Sequence, residues 1–159
     1  MPSWTGRISK AVVALTIALG GVVTGTGSAH ADSASLCRSD TTSTHSYVPI
    51  TDNIEIDSCY HVQDDRRTIY ATIPFYNTNR DDVVFCAHLV NVNNPGVWVH
   101  DFGCDYATTN WYGTAWPGNC CYGQGMEWTA TPGTYVVSAG FWLNGRYYGD
   151  VQSPRTTIG

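Results

Sequence analysis

The chain has 159 residues, of which 43% are hydrophobic, and thirteen acidic residues outnumber eight lysines and arginines. Arg7 and Lys10 lie in an N-terminal leader, so the remaining six arginines against thirteen acids give a net charge of −7. Arg66-Arg67 is the only basic pair left, and phosphate binding needs a basic face. This composition excludes nucleic acid as an expected partner, and the length suits one domain.

Residues 1–31 have the pattern of a secretory signal peptide. A positive flank at Arg7 and Lys10 precedes the apolar stretch Ala11–Val23, and small residues follow at 29–31. The apolar stretch is too short and too rich in glycine for a membrane span, and no second one follows. The sequence therefore predicts a secreted protein without a membrane anchor.

The remainder divides into a Ser/Thr-rich N-terminal arm at 32–46, expected to be loose, and a folded domain at 47–159. In the domain, apolar residues alternate with polar ones, and turn signals such as Asn93-Asn94-Pro95-Gly96 separate the alternating segments. We predict seven strands, at Ile54–Val62, Thr68–Asn77, Asp82–Val92, Val97–Ala107, Met126–Ala130, Tyr135–Leu143 and Tyr147–Thr157. Short strands at this spacing predict an all-β fold, a single antiparallel β-sandwich.

The C-terminal segment contains Pro132-Gly133-Thr134-Tyr135, then the turn Asn144-Gly145, then Gln152-Ser153-Pro154. This series resembles the final hairpin of fibronectin type III and related immunoglobulin-like domains. The resemblance implies an immunoglobulin-like sandwich, in which the Tyr135 hydroxyl is bonded to nearby backbone. Such a fold has no fixed function, so the function must be argued from a site.

Six cysteines in a secreted chain predict disulfides rather than metal ligands. If the turn centres on Asn94–Gly96, Cys86 faces Cys104 across a hairpin and shares one sheet face with Val84, Val90 and Val92. The same register pairs Val92 with Trp98, Val90 with His100 and His88 with Phe102. We therefore predict a disulfide between Cys86 and Cys104.

Cys120 and Cys121 are adjacent, and a bond between them would close a strained ring. Separate partners are expected, because neighbouring side chains on an extended segment point in opposite directions. Elimination then leaves Cys37 and Cys59 as their partners. These bridges would hold the arm and the glycine-rich segment against the sheet.

His88 and His100 lie on neighbouring predicted strands, and in the register above they face the same side. They would need Asp101 or Asp105 to complete a metal site, but alternation places Asp101 on the face opposite His100. The spacing of the available acids fixes no pair for glycosidase chemistry; these acids are Asp101, Asp105, Glu127 and Asp150. We expect histidines packed beside aromatic residues, no cofactor and no enzymatic activity.

The segment from 106 to 128 is the densest aromatic region of the domain, and a loop of this length is often functional. Its aromatic residues are Tyr106, Trp111, Tyr112, Trp116, Tyr122 and Trp128. Exposed rings on a disulfide-held loop would form a stiff platform for sugar rings or a partner protein. The alternative is that the loop folds back and caps the core of the sandwich.

We expect a secreted, monomeric binding module for carbohydrate or cell-envelope polymer, with a binding surface formed by Trp111, Tyr112, Trp116, Tyr122 and Trp128. The alternative is an inhibitor of an extracellular protease or amylase, which would insert Trp111-Tyr112 or Trp116-Pro117 into the target's cleft. A small hydrolase that uses Glu127 or Asp101 is a third hypothesis. Retention on insoluble polysaccharide separates the first hypothesis from the second.

Overall fold

The structure is a computed structural model that describes residues 33–120 and 123–159, so the predicted signal peptide lies outside the described residues. A 3-10 turn at Arg38–Thr41 accompanies the strands, and no described helix has the length and apolarity needed to cross a bilayer. The strands are β1 (Ala34–Cys37), β2 (Val48–Pro49), β3 (Ile54–Ile56), β4 (Cys59–Val62), β5 (Thr68–Asn77), β6 (Val83–Asn91), β7 (Trp98–Cys104), β8 (Tyr112–Ala115), β9 (Glu127–Thr129), β10 (Gly133–Leu143), β11 (Arg146–Gln152) and β12 (Thr156–Ile158).

These strands form two antiparallel sheets packed as a sandwich, which confirms the predicted all-β architecture. The seven-stranded sheet has the order β1-β4-β5-β3-β2, and β8 and β9 also pair with β5. The five-stranded sheet has the order β11-β10-β6-β7, and β12 pairs with β10. β5 is therefore central: β3 and β4 pair with one edge of this long strand, while β8 and β9 pair with the other.

The core lies between the sheets because alternate residues of the three longest strands are apolar. The rings of Phe75 on β5 and Phe85 on β6 stack at 4.4 Å, and Phe141 on β10 packs edge-on against Phe85 at 5.8 Å. Burying each such side chain stabilises the fold by about 1.5–3 kcal/mol. The other faces of these strands point outward, where binding surfaces can form.

The structure divides two of the predicted strands, because buried polar groups interrupt them. The predicted strand at Ile54–Val62 breaks at Asp57, whose carboxylate accepts the backbone N–H groups of Ser39 at 3.2 Å and Ser58 at 2.9 Å. The Ser58 hydroxyl donates to the Val137 carbonyl of the opposite sheet at 2.9 Å. The final predicted strand likewise divides into β11 and β12, and the described residues form twelve strands where seven were expected.

The N-terminal arm is not loose over its whole length, because Ala34–Cys37 pairs with β4. Cys37 lies directly opposite Cys59 in this pairing, and the two form a disulfide. The predicted bridges from these two cysteines to Cys120 and Cys121 are therefore wrong. Cys120 is itself disulfide-bonded, and Cys121 lies outside the described residues.

The predicted disulfide between Cys86 and Cys104 is confirmed, but the predicted register between it and the turn is wrong. Two bulges add residues to β7, one after Ala87 and one after Leu89. The observed pairs are His88 with Asp101, Leu89 with His100 and Val90 with Trp98. As a result His88 points outward, while His100 points into the sandwich beside Phe102.

Candidate functional site

The aromatic segment at 106–128 is not one long loop, since two short strands within it pair along β5. Trp111, Tyr112 and Trp116 are 51%, 65% and 42% exposed, so these three do not cap the core. Trp128 is different: it is half-buried, and its ring lies 6.3 Å from that of the core residue Tyr135. Tyr122 lies outside the described residues.

One pair of exposed rings follows directly from the register of β5 and β8. Tyr76 lies opposite Tyr112, and both point away from the core. The Tyr47 ring lies 5.1 Å from that of Tyr76 and extends this row across the sheet. Directly opposite side chains on adjacent strands are close enough for their rings to present one continuous surface.

A second group of rings lies at the other end of β5. The Tyr70 ring stacks on His61 at 4.4 Å and on Trp116 at 6.1 Å. Tyr70 and Tyr76 are six positions apart on one strand, which corresponds to about 20 Å. We call the outer surface that carries these two groups the aromatic face; it consists of Tyr47, His61, Tyr70, Tyr76, Tyr112 and Trp116.

Trp116 is held in place by Asp105, one of the acids considered above as a metal ligand. The Asp105 carboxylate accepts the Trp116 backbone N–H at 2.7 Å, the Tyr106 N–H at 2.7 Å and the Asn119 side-chain amide at 3.2 Å. The Cys104 carbonyl next to it accepts two further N–H groups from the same turn. Asp105 thus organises the turn beneath an exposed indole.

The metal site considered for His88 and His100 is wrong, because the bulges place the two histidines on opposite faces of the sheet. His100 is buried, and its Nε2 lies 2.9 Å from the Gly125 carbonyl. Among the described residues, the one group with metal-ligand spacing is Cys37, Asp57 and Cys59, whose two sulfurs form a disulfide. Neither arrangement provides a metal centre.

The sequence analysis missed a second region, a cleft of about 700 Å³ on the outer surface of the five-stranded sheet. Trp98 of β7 lies on one side of it, and Trp142 of β10 and Tyr147 of β11 lie on the other. The signal available in the sequence was alternation, because Trp142 and Tyr147 face each other across Asn144-Gly145 and point away from the core. We call this region the cleft.

His88 and Asp101 are the ionisable neighbours at the floor of the cleft. His88 Nδ1 lies 3.1 Å from Asp101 Oδ1, without the alignment of a hydrogen bond, and its ring stacks on Trp98 at 3.5 Å. Burial lowers the pKa of His88, and the charges of Asp101 and Asp150 partly oppose this effect. Burial, with smaller contributions from Asp150 and Asp101, raises the pKa of Tyr147 to about 12.

Both surfaces are therefore defined by this chain's own geometry, one flat and one concave. Comparison with known proteins adds nothing to that geometry: no protein-family model, no curated protein and no solved structure matches this chain.

Proposed function

We propose that this protein is a secreted, non-catalytic binding module that holds an extended, neutral carbohydrate polymer of a cell envelope on its aromatic face. The observation that carries this proposal is the row of exposed rings, Tyr76, Tyr112 and Trp116, on a rigid sheet. Aromatic side chains lose little conformational entropy on binding and offer large apolar faces on which sugar rings can stack.

The shape of the aromatic face favours a polymer over a single sugar. The rings are spread over about 20 Å along β5, which exceeds the size of one sugar ring. Thr114 is exposed between Tyr112 and Trp116, and its hydroxyl is available to sugar hydroxyl groups. A concave pocket would enclose a small ligand instead.

The charge of the chain favours a neutral polymer. Thirteen acids against six arginines beyond the leader repel phosphate-rich and uronate-rich chains. The disulfides Cys37–Cys59 and Cys86–Cys104 support an oxidising, extracellular environment, as the predicted leader does.

We also infer that the fold is of the immunoglobulin-like type. The order β11-β10-β6-β7 corresponds to a G-F-C-C′ sheet. The Tyr135 hydroxyl donates to the Thr131 carbonyl at 2.8 Å, which is the backbone tie that the C-terminal resemblance implied. The N-terminal strands and the Cys37–Cys59 disulfide are additions to that pattern.

Depletion of the protein from solution by insoluble chitin and cellulose, which are both neutral, tests the proposal. Trp116→Ala and Tyr112→Ala should each weaken binding to the retained polymer by about 1–3 kcal/mol, the usual range for a central aromatic contact. Trp142→Ala is the matched control, because that side chain is 46% exposed on the opposite sheet. It should leave retention unchanged.

Two outcomes would contradict the proposal. One is that no neutral polymer depletes the protein; the other is that Trp142→Ala weakens retention as much as Trp116→Ala does. Inhibition of a protease or amylase that is lost in Trp111→Ala or Trp116→Ala would instead establish the inhibitor hypothesis. A denaturant titration of each variant separates lost binding from lost folding.

A further inference from the structure

One wall of the cleft depends on two glycines that let a tyrosine ring lie against the sheet. Gly140 on β10 lies opposite Gly149 on β11, and both lie on the outer surface of their sheet. A Cβ built at Gly140 would collide with the Tyr147 hydroxyl, so the tyrosine ring lies directly over this glycine. Any side chain at that position would displace the ring that forms one wall.

The walls present aromatic faces to the interior. Trp98 is 58% exposed although one face of its indole is covered by the His88 ring. On the far side, Trp142 lies 5.4 Å from Tyr147 and is also largely exposed. The electron-rich faces of Trp and Tyr attract cations as well as flat rings.

The polar groups of the cleft are few, and their charge has one sign. Asp101 is the only formally charged lining residue among the described residues, and its side chain is 34% exposed. Its Oδ1 accepts the Gly103 N–H at 2.8 Å. Asp150 adds a second negative charge close enough to act on both His88 and Tyr147.

Within the described part of the chain, no lysine or arginine lines the cleft beside these carboxylates. Arg146 places its guanidinium 4.9 Å from the centre of the Tyr148 ring, and Tyr148 packs on the core side of β11. His88 is neutral near pH 7, since burial lowers the pKa of its imidazole. The Tyr147 hydroxyl is buried and makes no hydrogen bond to any described residue.

We propose that the cleft is a second binding site, independent of the aromatic face, for a flat, ring-bearing organic cation of small-molecule size. The indole walls receive the ring, and the carboxylate of Asp101 complements the positive charge. A volume of about 700 Å³ lies within the range of small-molecule sites and accommodates at least two fused rings.

The choice of a cation follows from what the cleft lacks. An anion would face Asp101 and Asp150 without a basic partner. A free sugar presents hydroxyl groups all round its ring, and three polar side chains within mainly apolar walls would leave several of them unbonded. A flat cation needs few hydrogen bonds and gains from both the aromatic faces and the carboxylates.

Three matched probes test the proposal: 1-methylquinolinium, its neutral isostere 1-methylnaphthalene, and the anion 1-naphthalenesulfonate. Calorimetry gives their affinities, and amide NMR locates them through the signals of Gly140, Gly149 and the Trp98 indole. We expect the cation to bind about tenfold more tightly than the neutral isostere, and the anion to bind least. In Asp101→Asn, which keeps an acceptor for the Gly103 N–H, the preference for the cation should fall to about twofold.

Trp98→Ala should lower the affinity for the cation and for the neutral isostere alike, by about fivefold or more. Trp116→Ala on the opposite sheet is the control and should change neither affinity. Equal affinities of the wild-type protein for cation and isostere would overturn the proposal, as would NMR shifts confined to the aromatic face. Failure of polysaccharide retention would leave this result untouched, since the two experiments measure different ligands and alter different residues to abolish binding.

Discussion

The two outer sheet surfaces carry similar aromatic side chains but present them differently. On the aromatic face, Tyr76 and Tyr112 lie opposite each other on adjacent strands, and both are exposed. On the other sheet, Gly140 lies opposite Gly149, which lets the Tyr147 ring lie against the strands as one wall of the cleft, with Trp98 on the other side. The size of the residues beside the rings, rather than the number of aromatic residues, therefore separates an open row of rings from a cleft.

The difference also extends to charge. On the aromatic face the carboxylates of Glu55 and Glu127 are exposed opposite Tyr76 and Tyr70, and Asp105 is engaged by backbone and amide donors beneath Trp116. The cleft contains a partly exposed carboxylate, Asp101, and a histidine whose pKa is lowered by burial. An open surface of exposed rings suits a polymer held by stacking, whereas a concave acidic cleft suits a small cation.

The largest expected effects come from the disulfides, one beneath each region. The bridges Cys37–Cys59 and Cys86–Cys104 span 22 and 18 positions, so replacing either pair by alanine should lower the free energy of unfolding by about 3 kcal/mol. Only the second pair lines the cleft, so only its loss should weaken 1-methylquinolinium binding. Urea titrations measure the free energy of unfolding of each variant, and calorimetry measures its affinity for 1-methylquinolinium. Weakened cation binding in the Cys37/Cys59 variant would show that the two regions are not independent.

A smaller effect separates two tryptophans of the aromatic segment. Trp128→Ala should lower the free energy of unfolding by about 2–3 kcal/mol, because its half-buried ring packs on Tyr135 and His100. Trp116→Ala should cost about 1 kcal/mol, since it loses little more than its stack on Tyr70. Equal costs in denaturant titrations would show that Trp116 also belongs to the core.

A substitution at Gly140 that displaces the Tyr147 ring tests the role attributed to glycine. In Gly140→Ala the new methyl group meets the Tyr147 ring, and it meets the Tyr148 carbonyl oxygen at 2.6 Å. We therefore expect the free energy of unfolding to fall by about 2 kcal/mol and cation binding to weaken. Gly113→Ala on β8 is the matched control, because its Cβ meets only the Phe75 ring at 3.2 Å. It should lower the free energy of unfolding by about half as much and leave cation binding in the cleft unchanged. Unchanged cation affinity in Gly140→Ala would place the ligand elsewhere.

The sequence predicted those elements whose signals are local. The bounds of β5 agree with the prediction, because alternation runs without a break between a charged turn and Asn77. Pairing of Cys86 with Cys104 followed from one hairpin turn. The tandem Trp111-Tyr112 predicted at least one exposed ring, since neighbours on an extended segment point in opposite directions. Both are exposed, because Trp111 lies just before β8 begins.

Other features depend on contacts that leave no local pattern. β1 has only four residues and no alternation, and its position is decided by pairing with β4 and by the Cys37–Cys59 bridge. The bulges of β7 shift the register by one residue each, which reverses the side to which His100 points. The position of the Tyr147 wall depends on two glycines from different strands, and absent side chains give no periodic signal.

The smallest expected effect is a pH dependence confined to the cleft. Because burial lowers the pKa of His88 in the folded state, the unfolded chain takes up the proton first as the pH falls below about 6.5. This contribution to stability is therefore present above that pH and is lost as the pH falls towards the folded pKa. Asp101 and Asp150 both raise the pKa of His88, so Asp101→Asn should lower it further. An NMR titration of the imidazole signals measures the pKa of His88 in the wild-type protein and in Asp101→Asn, and His88→Gln assigns the signals. A rise of the pKa in Asp101→Asn would show that the carboxylate does not act on His88 as its 3.1 Å distance implies.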